Sequence, residues 1–227
     1  IPAFALINLT IEKPEQSSLN DIIKGYNKVF KDFPVAVIGG DTTYGPTSIT
    51  MTLIGYSSST NAMLTSNAKE NDVIFISGSI GESLLARKYN KYHMPENRNE
   101  LGVILTEYAN SCTDMSDGLL DSLKRITEKS NLGAIIKINE IKISSELKNQ
   151  IKNENISWQD VLSYGDDYEL FFTVDKKKST ALKNLCKNIG IEIYEIGSLA
   201  KDKNVNFQYN DKYLNIDVNK KFEHFKK

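Results

Sequence analysis

Asp114-Met115-Ser116-Asp117-Gly118-Leu119 sets two carboxylates and a hydroxyl just ahead of Leu119, Leu120, Leu123 and Ile126, which recur at helical spacing. The spacing predicts a helix over Leu119 to Lys129 with the acidic cluster at its mouth, where backbone N–H groups lack intrahelical partners. Ser116 is placed to cap that helix. Two readings fit the stretch. One is an ordinary N-cap whose acids complement the helix dipole. The other is a hard-cation site, since Mg²⁺ takes few protein oxygens and keeps waters or phosphate oxygens for the rest of its shell.

Strands and helices alternate on both sides. Ala3 to Ile11, Val35 to Ile38 and Ile49 to Tyr56 read as strands, with Ile49, Met51, Leu53 and Gly55 on one face of the last. Leu19 to Phe33 reads as a helix carrying Ile22, Ile23, Tyr26, Val29 and Phe30. The polar run Ser57-Ser58-Ser59-Thr60-Asn61 then marks a domain boundary. Beyond it, Val73 to Ser77 is a short apolar strand running into Gly78-Ser79-Ile80-Gly81 and a helix to about Tyr89. Two glycines before a helix can cradle phosphate or turn the chain, and the absence of a following Gly-Lys-Ser/Thr favours the turn. Lys88 to Asn99 reads as a polar loop and Leu101 to Ala109 as a helix. Further strands are predicted at Ala134 to Ile138, Glu169 to Val174, Ile191 to Ile196 and Val205 to Gln208, with a helix at Ser179 to Asn188 and a Lys- and Asn-rich tail from Asp211. This is an α+β, mixed α/β pattern in two domains, 1–59 and 60–227.

At 227 residues and 40% hydrophobic content the chain can bury a core, so a globular, soluble protein is predicted. A net charge of -1 leaves no basic surplus for nonspecific nucleic-acid binding, and no apolar run reaches the length of a membrane span. The start, Ile1-Pro2-Ala3-Phe4-Ala5-Leu6, lacks a charged n-region and an initiator Met, which predicts a natural start further upstream. Cys112 and Cys186, in no metal-like spacing, read as reduced, partly buried thiols of a cytoplasmic protein. His93 and His224 are the only histidines, which argues against zinc or a serine-type triad. Any chemistry must rest on carboxylates, hydroxyls, backbone and a bound metal.

Two more acidic phrases bear on that chemistry. Gly39-Gly40-Asp41-Thr42-Thr43 follows Val35 to Ile38, which puts Asp41 at a strand's carboxyl end, where ligands bind in α/β sheets, or simply in a Gly-Gly-Asp turn. Gly165-Asp166-Asp167-Tyr168-Glu169-Leu170 packs three acids beside an aromatic. Either it is a solvated loop, or a cation, an amine or a loss of charge offsets the repulsion.

Taken in order, the three phrases and the ending Phe222-Glu223-His224-Phe225 resemble the thiamine-monophosphate kinase family. The wider superfamily includes aminoimidazole ribonucleotide synthetase, selenophosphate synthetase and a hydrogenase maturation factor. The family shows Gly-Gly-Asp-Thr-Thr, Asp-x-Ser-Asp-Gly-Leu, Gly-Glu-Asp-Tyr-Glu-Leu and aromatic-x-His-Phe, and the likeness runs along essentially the whole chain. It implies a two-domain synthetase-like fold: a partial N-terminal ATP- and metal-binding domain and a complete C-terminal α/β domain. It also implies ATP- and Mg²⁺-dependent phosphorylation of thiamine monophosphate to the diphosphate by a cytoplasmic homodimer. By position, Gly40 and Asp41 resemble the nucleotide and metal site, Asp114 and Asp117 metal ligands, and Ser116 an ATP-contacting hydroxyl. Asp166 stands where the family has a substrate-binding Glu, and Phe222 near a substrate-contacting tail aromatic.

The likeness has departures. The family pattern includes an upstream segment with two Asp-rich phrases and further strands of a first domain that pairs across a dimer into a barrel, and this chain starts after it. Tyr44 and Thr65 stand where the family has Arg, and Asn71 where it has Gly. Met94-Pro95-Glu96-Asn97-Arg98 keeps only the second Arg of an Arg-Pro-x-Pro-Arg loop. Neither Tyr nor Thr replaces a guanidinium's charge. Two other readings therefore remain open: a truncated or decayed, non-catalytic relative, and a different ATP-dependent synthetase of the superfamily.

Overall fold

The computed structural model describes residues 1–33, 35–57 and 62–220. Its contacts divide the chain into two compact units, residues 1–60 and 61–227.

The first unit holds β1 (Pro2–Ile11), α1 (Gln16–Asp32), β2 (Ala36–Tyr44) and β3 (Ser48–Gly55). The sheet order is β2-β1-β3, with β1 parallel to β2 and antiparallel to β3. The β1-α1-β2 passage is a crossover, as two parallel strands require. β2 does not stop at Ile38 as the apolar run suggests. Its pairing with β1 continues from Leu6↔Gly39 to Ile11↔Tyr44 after a register shift, so backbone pairing carries a polar, glycine-rich segment in extended form. Both edge strands expose apolar side chains, among them Val37, Ile38, Leu53 and Ile54.

The second unit is a seven-stranded mixed sheet with helices on both faces. In chain order it contains β4 (Val73–Ser77), α2 (Glu82–Lys88), α3 (Asn99–Tyr108), β5 (Ala109–Asp114), α4 (Leu119–Ser130) and β6 (Gly133–Lys137). Then follow α5 (Ser145–Lys152), α6 (Trp158–Ser163), β7 (Leu170–Val174), α7 (Lys176–Asn188), β8 (Ile193–Ala200), β9 (Val205–Tyr209) and β10 (Lys212–Leu214). The sheet order is β10-β9-β6-β8-β4-β7-β5, and only β6 and β9 pair in parallel. β4 sits between β7 and β8 and is buried on both faces, which is why its sequence is a continuous apolar run. Ile74 and Ile76 point into a core shared with α4, α5 and α6; Val73 and Phe75 point into a second core with α3 and α7. Phe75 stacks on Phe172 at 5.5 Å, which ties β4 to β7 inside the second core.

Three elements depart from the sequence expectations. β5 is a strand although Ala-Asn-Ser-Cys-Thr-Asp has no apolar alternation; it is an edge strand, held by its ladder with β7 and by a Ser111 Oγ to Thr173 Oγ1 contact of 2.8 Å. α5 and α6 are single short helices, started by Ser144 accepting from the Leu147 N–H and by a capping box between Ser157 and Asp160. Asn71, which stands where the family has Gly, has φ 67°, a left-handed conformation that Asn tolerates. Cys112 and Cys186 are free thiols. Among the described residues no helix is long and apolar enough to cross a membrane.

Candidate active site

The second and third acidic phrases are zipped together at the end of the β5–β7 ladder. Asp114 is the last residue of β5 and pairs with Leu170, the first of β7. Past the ladder, the Met115 N–H donates to the Glu169 carbonyl (2.8 Å) and the Asp166 N–H to the Ser116 carbonyl (2.9 Å). The approach is so close that a Cβ on Gly165 would lie 2.1 Å from the Ser116 carbonyl oxygen. A Gly165→Ala variant should therefore lose about 1–3 kcal/mol, as overpacked sites do, read by urea denaturation.

Two local expectations are corrected here. Asp114 ends a strand and does not stand at a helix mouth. Ser116 is not the cap of α4; the N-cap is Gly118, which makes no side-chain cap bond. Gly118 has φ 94° and sits against the Tyr164 carbonyl, so the turn is fixed by backbone contact with the facing loop. Ser122 Oγ closes it from within α4, donating to the Asp114 carbonyl at 2.9 Å. The result leaves Asp114 exposed, Ser116 and Asp117 half-buried, and Met115 in the core.

Residues 166–169 alternate outward and inward. Asp167 and Glu169 are buried; Asp166 and Tyr168 are exposed, both in left-handed conformation at φ 67° and 51°. Strain of this kind costs about 1–3 kcal/mol per residue and persists only where surroundings enforce it. The buried acids do the enforcing. Asp167 accepts from the Gly81 N–H (2.6 Å), the Ser83 N–H (3.0 Å) and Ser83 Oγ (2.7 Å), while Ser83 Oγ also reaches the Gly165 carbonyl at 2.6 Å. Glu169 takes a two-pronged bond from Arg98, Nε and Nη2 each at 2.6 Å, and a further bond from Ser77 Oγ.

These contacts say how the three acids coexist. Arg98 offsets one charge, the amides at the start of α2 offset another, and the third faces solvent. They also decide the Gly78-Ser79-Ile80-Gly81 loop. Its Gly81 N–H is taken by the protein's own Asp167 carboxylate, and its Gly78 and Ile80 N–H groups donate to the Glu192 and Lys142 carbonyls, so it acts as a turn and not as a phosphate cradle. Arg98, the arginine retained from the family loop, is likewise committed to Glu169 and, through Nη1 at 2.8 Å, to Glu96.

Charge and burial tune this region. Burial pushes the Asp167 carboxyl up, and the bonds from Gly81 and Ser83 pull it part of the way back. Burial also raises the Tyr168 hydroxyl, helped by the charge of Asp166 beside it and, least of the causes, by that of Asp114. Cys112 is pushed up to about 12 by burial and then by Asp114, so it stays a thiol at neutral pH. Beside the loop lies a cleft of about 330 Å³ whose lining includes Glu82, His93, Glu96, Arg98, Glu169 and Glu192, an acid-rich surface suited to a cationic group.

The first phrase belongs to the other unit. Gly40 faces Ile7 across the ladder so closely that a Cβ would meet the Ile7 carbonyl at 1.8 Å; strand pairing alone requires glycine there. Asp41 lies within β2, opposite Asn8, exposed, with its Oδ1 accepting from the Thr42 N–H at 2.8 Å. The strand-end position expected for Asp41 is therefore corrected to a mid-strand one. Phe222 and His224 lie outside the described residues. Among the described residues no three His, Cys, Asp or Glu side chains converge as a metal cage.

Sequence reasoning missed the structural roles of Asp167, Glu169, Arg98, Ser77 and Ser83. The one local signal was the in-out alternation of Asp166 to Glu169 leading into a strand.

This fold and these loops match the AIR synthase related protein models, the N-terminal domain over residues 1–57 and the C-terminal domain over residues 82–210. The chain is thus an AIR synthase-related protein. The thiamine-monophosphate kinase of Buchnera aphidicola subsp. Schizaphis graminum is 34% identical, covering 99% of this chain and 74% of its own. That of Haemophilus influenzae is 28% identical with the same two coverages. The thiamine-monophosphate kinase structure from Stenotrophomonas maltophilia superposes with TM-score 0.81 at 26% identity, over 94% of this chain and 73% of that one. Escherichia coli HypE, a hydrogenase maturation protein, shares the fold at TM-score 0.82 and 13% identity, over 96% and 74%. The chain belongs to the thiamine-monophosphate kinase family, a family of kinases.

Proposed function

We propose that this chain phosphorylates thiamine monophosphate to thiamine diphosphate with ATP and Mg²⁺, as a cytoplasmic homodimer. One observation carries the reading: the zipped loops hold Asp114, Ser116 and Asp117 on one side and Asp166 on the other, along one solvent-facing rim. A related kinase structure, 22% identical, is described as complexed with AMPPCP and TMP, which supports the same two ligands here.

The chemistry needs little from side chains. An anionic oxygen of the thiamine monophosphate phosphate forms a bond to the γ-phosphorus of ATP, the bond from that phosphorus to the β–γ bridging oxygen breaks, and ADP leaves. The second pKa of a phosphomonoester is about 6, so the nucleophile is already ionised at neutral pH and no general base is required. That fits a site without a catalytic His. Asp114 and Asp117 are proposed Mg²⁺ ligands, and Asp41, in the first unit, is proposed as a metal ligand by its own motif; two carboxylates beside phosphate oxygens suit an ion that rarely takes a full protein cage. When bound, Mg²⁺ supplies neutralisation of the transferring phosphoryl group. Ser116 and Gly40 are proposed ATP contacts, and Asp166 with Phe222 substrate contacts. Asp166, beside the exposed Tyr168 ring, offers a counter-charge to the cationic thiazolium. Residues 1–59 are proposed as the remainder of the ATP- and metal-binding domain and 60–227 as the C-terminal α/β domain.

ADP release from ATP, Mg²⁺ and thiamine monophosphate tests this. Asp114→Asn should lower kcat roughly 10²-fold, the scale of one lost electrostatic contact to the transition state, while leaving the urea midpoint in place because the side chain is exposed. No ADP at high enzyme concentration would overturn the activity and favour a non-catalytic relative. ATP turnover only with a different phosphoryl acceptor would favour another synthetase.

A further inference from the structure

Away from the acidic rim, a cavity of about 630 Å³ opens between α5, α6 and the end of β9. Its walls are Ile138, Ile141, Ile143, Ile151, Trp158 and Tyr209, and the two rings stand 5.8 Å apart at 58°, forming an aromatic corner. A mostly apolar cavity of a few hundred Å³ with a few polar groups at its edge is the usual form of a small-molecule site.

The polar groups at this edge carry one sign. Lys148 and Lys152 lie four residues apart on α5, hence on one helix face, and both line the cavity. Like charges so placed repel, and no carboxylate pairs with either among the described residues. The nearest acid on the helix, Glu146, is taken up by Tyr89 and Gln150. Asn139, also at the edge, spends both ends of its amide on Asn210. Within the wall, Trp158 Nε1 is covered and has no acceptor among the described residues, so the ring is held there by packing and not by a hydrogen bond of its own.

We propose that this cavity binds a small planar aromatic anion, its rings against Trp158 and Tyr209 and its acid group between Lys148 and Lys152. The inference does not depend on the kinase reading and can fail separately from it.

Trp158 is the only tryptophan of the chain, so it reports on the cavity directly. The probe is 1-anilinonaphthalene-8-sulfonate, compared with N-phenyl-1-naphthylamine, the same ring body without the sulfonate. Exciting Trp158 should give saturable sensitised emission from the sulfonate, with affinity roughly tenfold weaker for the neutral probe. A Lys148→Glu/Lys152→Glu variant should lose at least as much affinity; both side chains are exposed, and circular dichroism and urea unfolding confirm that it folds. Trp158→Phe should abolish the sensitised signal while leaving directly excited probe binding within about threefold, since an aromatic wall remains. Equal affinity for the two probes, unchanged affinity in the double variant, or no saturable sensitised emission overturns the proposal. So does displacement of the probe by raised protein concentration with a shift to dimer in gel filtration, which assigns the cavity to a second copy of the chain.

Discussion

An Arg98→Ala variant should lose about 3–5 kcal/mol of folding stability in urea denaturation at pH 7, the cost of stranding a buried charge. Glu169 is the charge left behind: its side chain is only 8% exposed, and Arg98, at 16%, supplies two of its three hydrogen bonds. Ser77 on β4 supplies the third bond and accepts from the Leu170 N–H in turn, so Glu169 is fixed in place on the side away from Arg98. Arg98→Lys should recover only part of the loss, because an ammonium cannot reproduce the two-pronged contact. Arg98→Met with Glu169→Leu should recover most of it, since a buried pair replaced by apolar groups of similar size is often neutral. A loss of under about 1 kcal/mol in the single variant would place the pair among surface salt bridges and remove its role in the loop. Thiamine monophosphate turnover gives a second readout. Glu169 is held through its backbone to Met115, so releasing its side chain loosens the rim that presents Asp114 and Asp166.

The parts of this architecture legible in the amino-acid order are those decided by local pattern. The helical stripe Leu119, Leu120, Leu123 and Ile126 is wholly buried, each residue at 0–1% exposure, and the apolar run Val73–Ser77 is an interior strand buried on both faces. The acidic phrases were also legible as phrases, and the structure brings the second and third together. What resisted was decided at a distance. Ala109–Asp114 becomes a strand because β7, some sixty residues later in the chain, offers it an edge, and this pairing turns Ser116 from a presumed cap into part of a turn. The same pairing logic carries Asp41 past the predicted strand end into the middle of β2. Asp167 illustrates the limit most clearly. Its donors lie 84 and 86 residues away, on a helix start whose own sequence suggested a turn or an anion site, and the anion proved to be a side chain of the same chain.

That carboxylate makes the second large expectation. Asp167→Ala strands the amides of Gly81 and Ser83 inside the fold, and at about 1–3 kcal/mol for each buried unsatisfied group the loss should be about 2–6 kcal/mol. Asp167→Asn keeps the volume but turns one contact into donor facing donor, so it should lose less than Ala and more than a surface substitution. Its pH dependence separates the two forces acting on the wild-type group. Burial outweighs the hydrogen bonds and pushes the carboxyl above its ordinary value of 3.8, so between that value and the raised one the native chain holds more proton than the unfolded chain. Stability from this group is then complete below the ordinary value and is lost as pH rises through the native one. The unfolding free energy of the wild type relative to Asp167→Asn should accordingly be greatest below about pH 4, fall as pH rises, and level off toward neutrality. The opposite slope, with the wild type gaining on the variant as pH rises, would mean that the amides of Gly81 and Ser83 hold the carboxyl below its ordinary range. In that case the start of α2 stabilises the charge more than burial penalises it, and the loop carrying Asp166 and Tyr168 is anchored by an ionised group at every pH where the protein works.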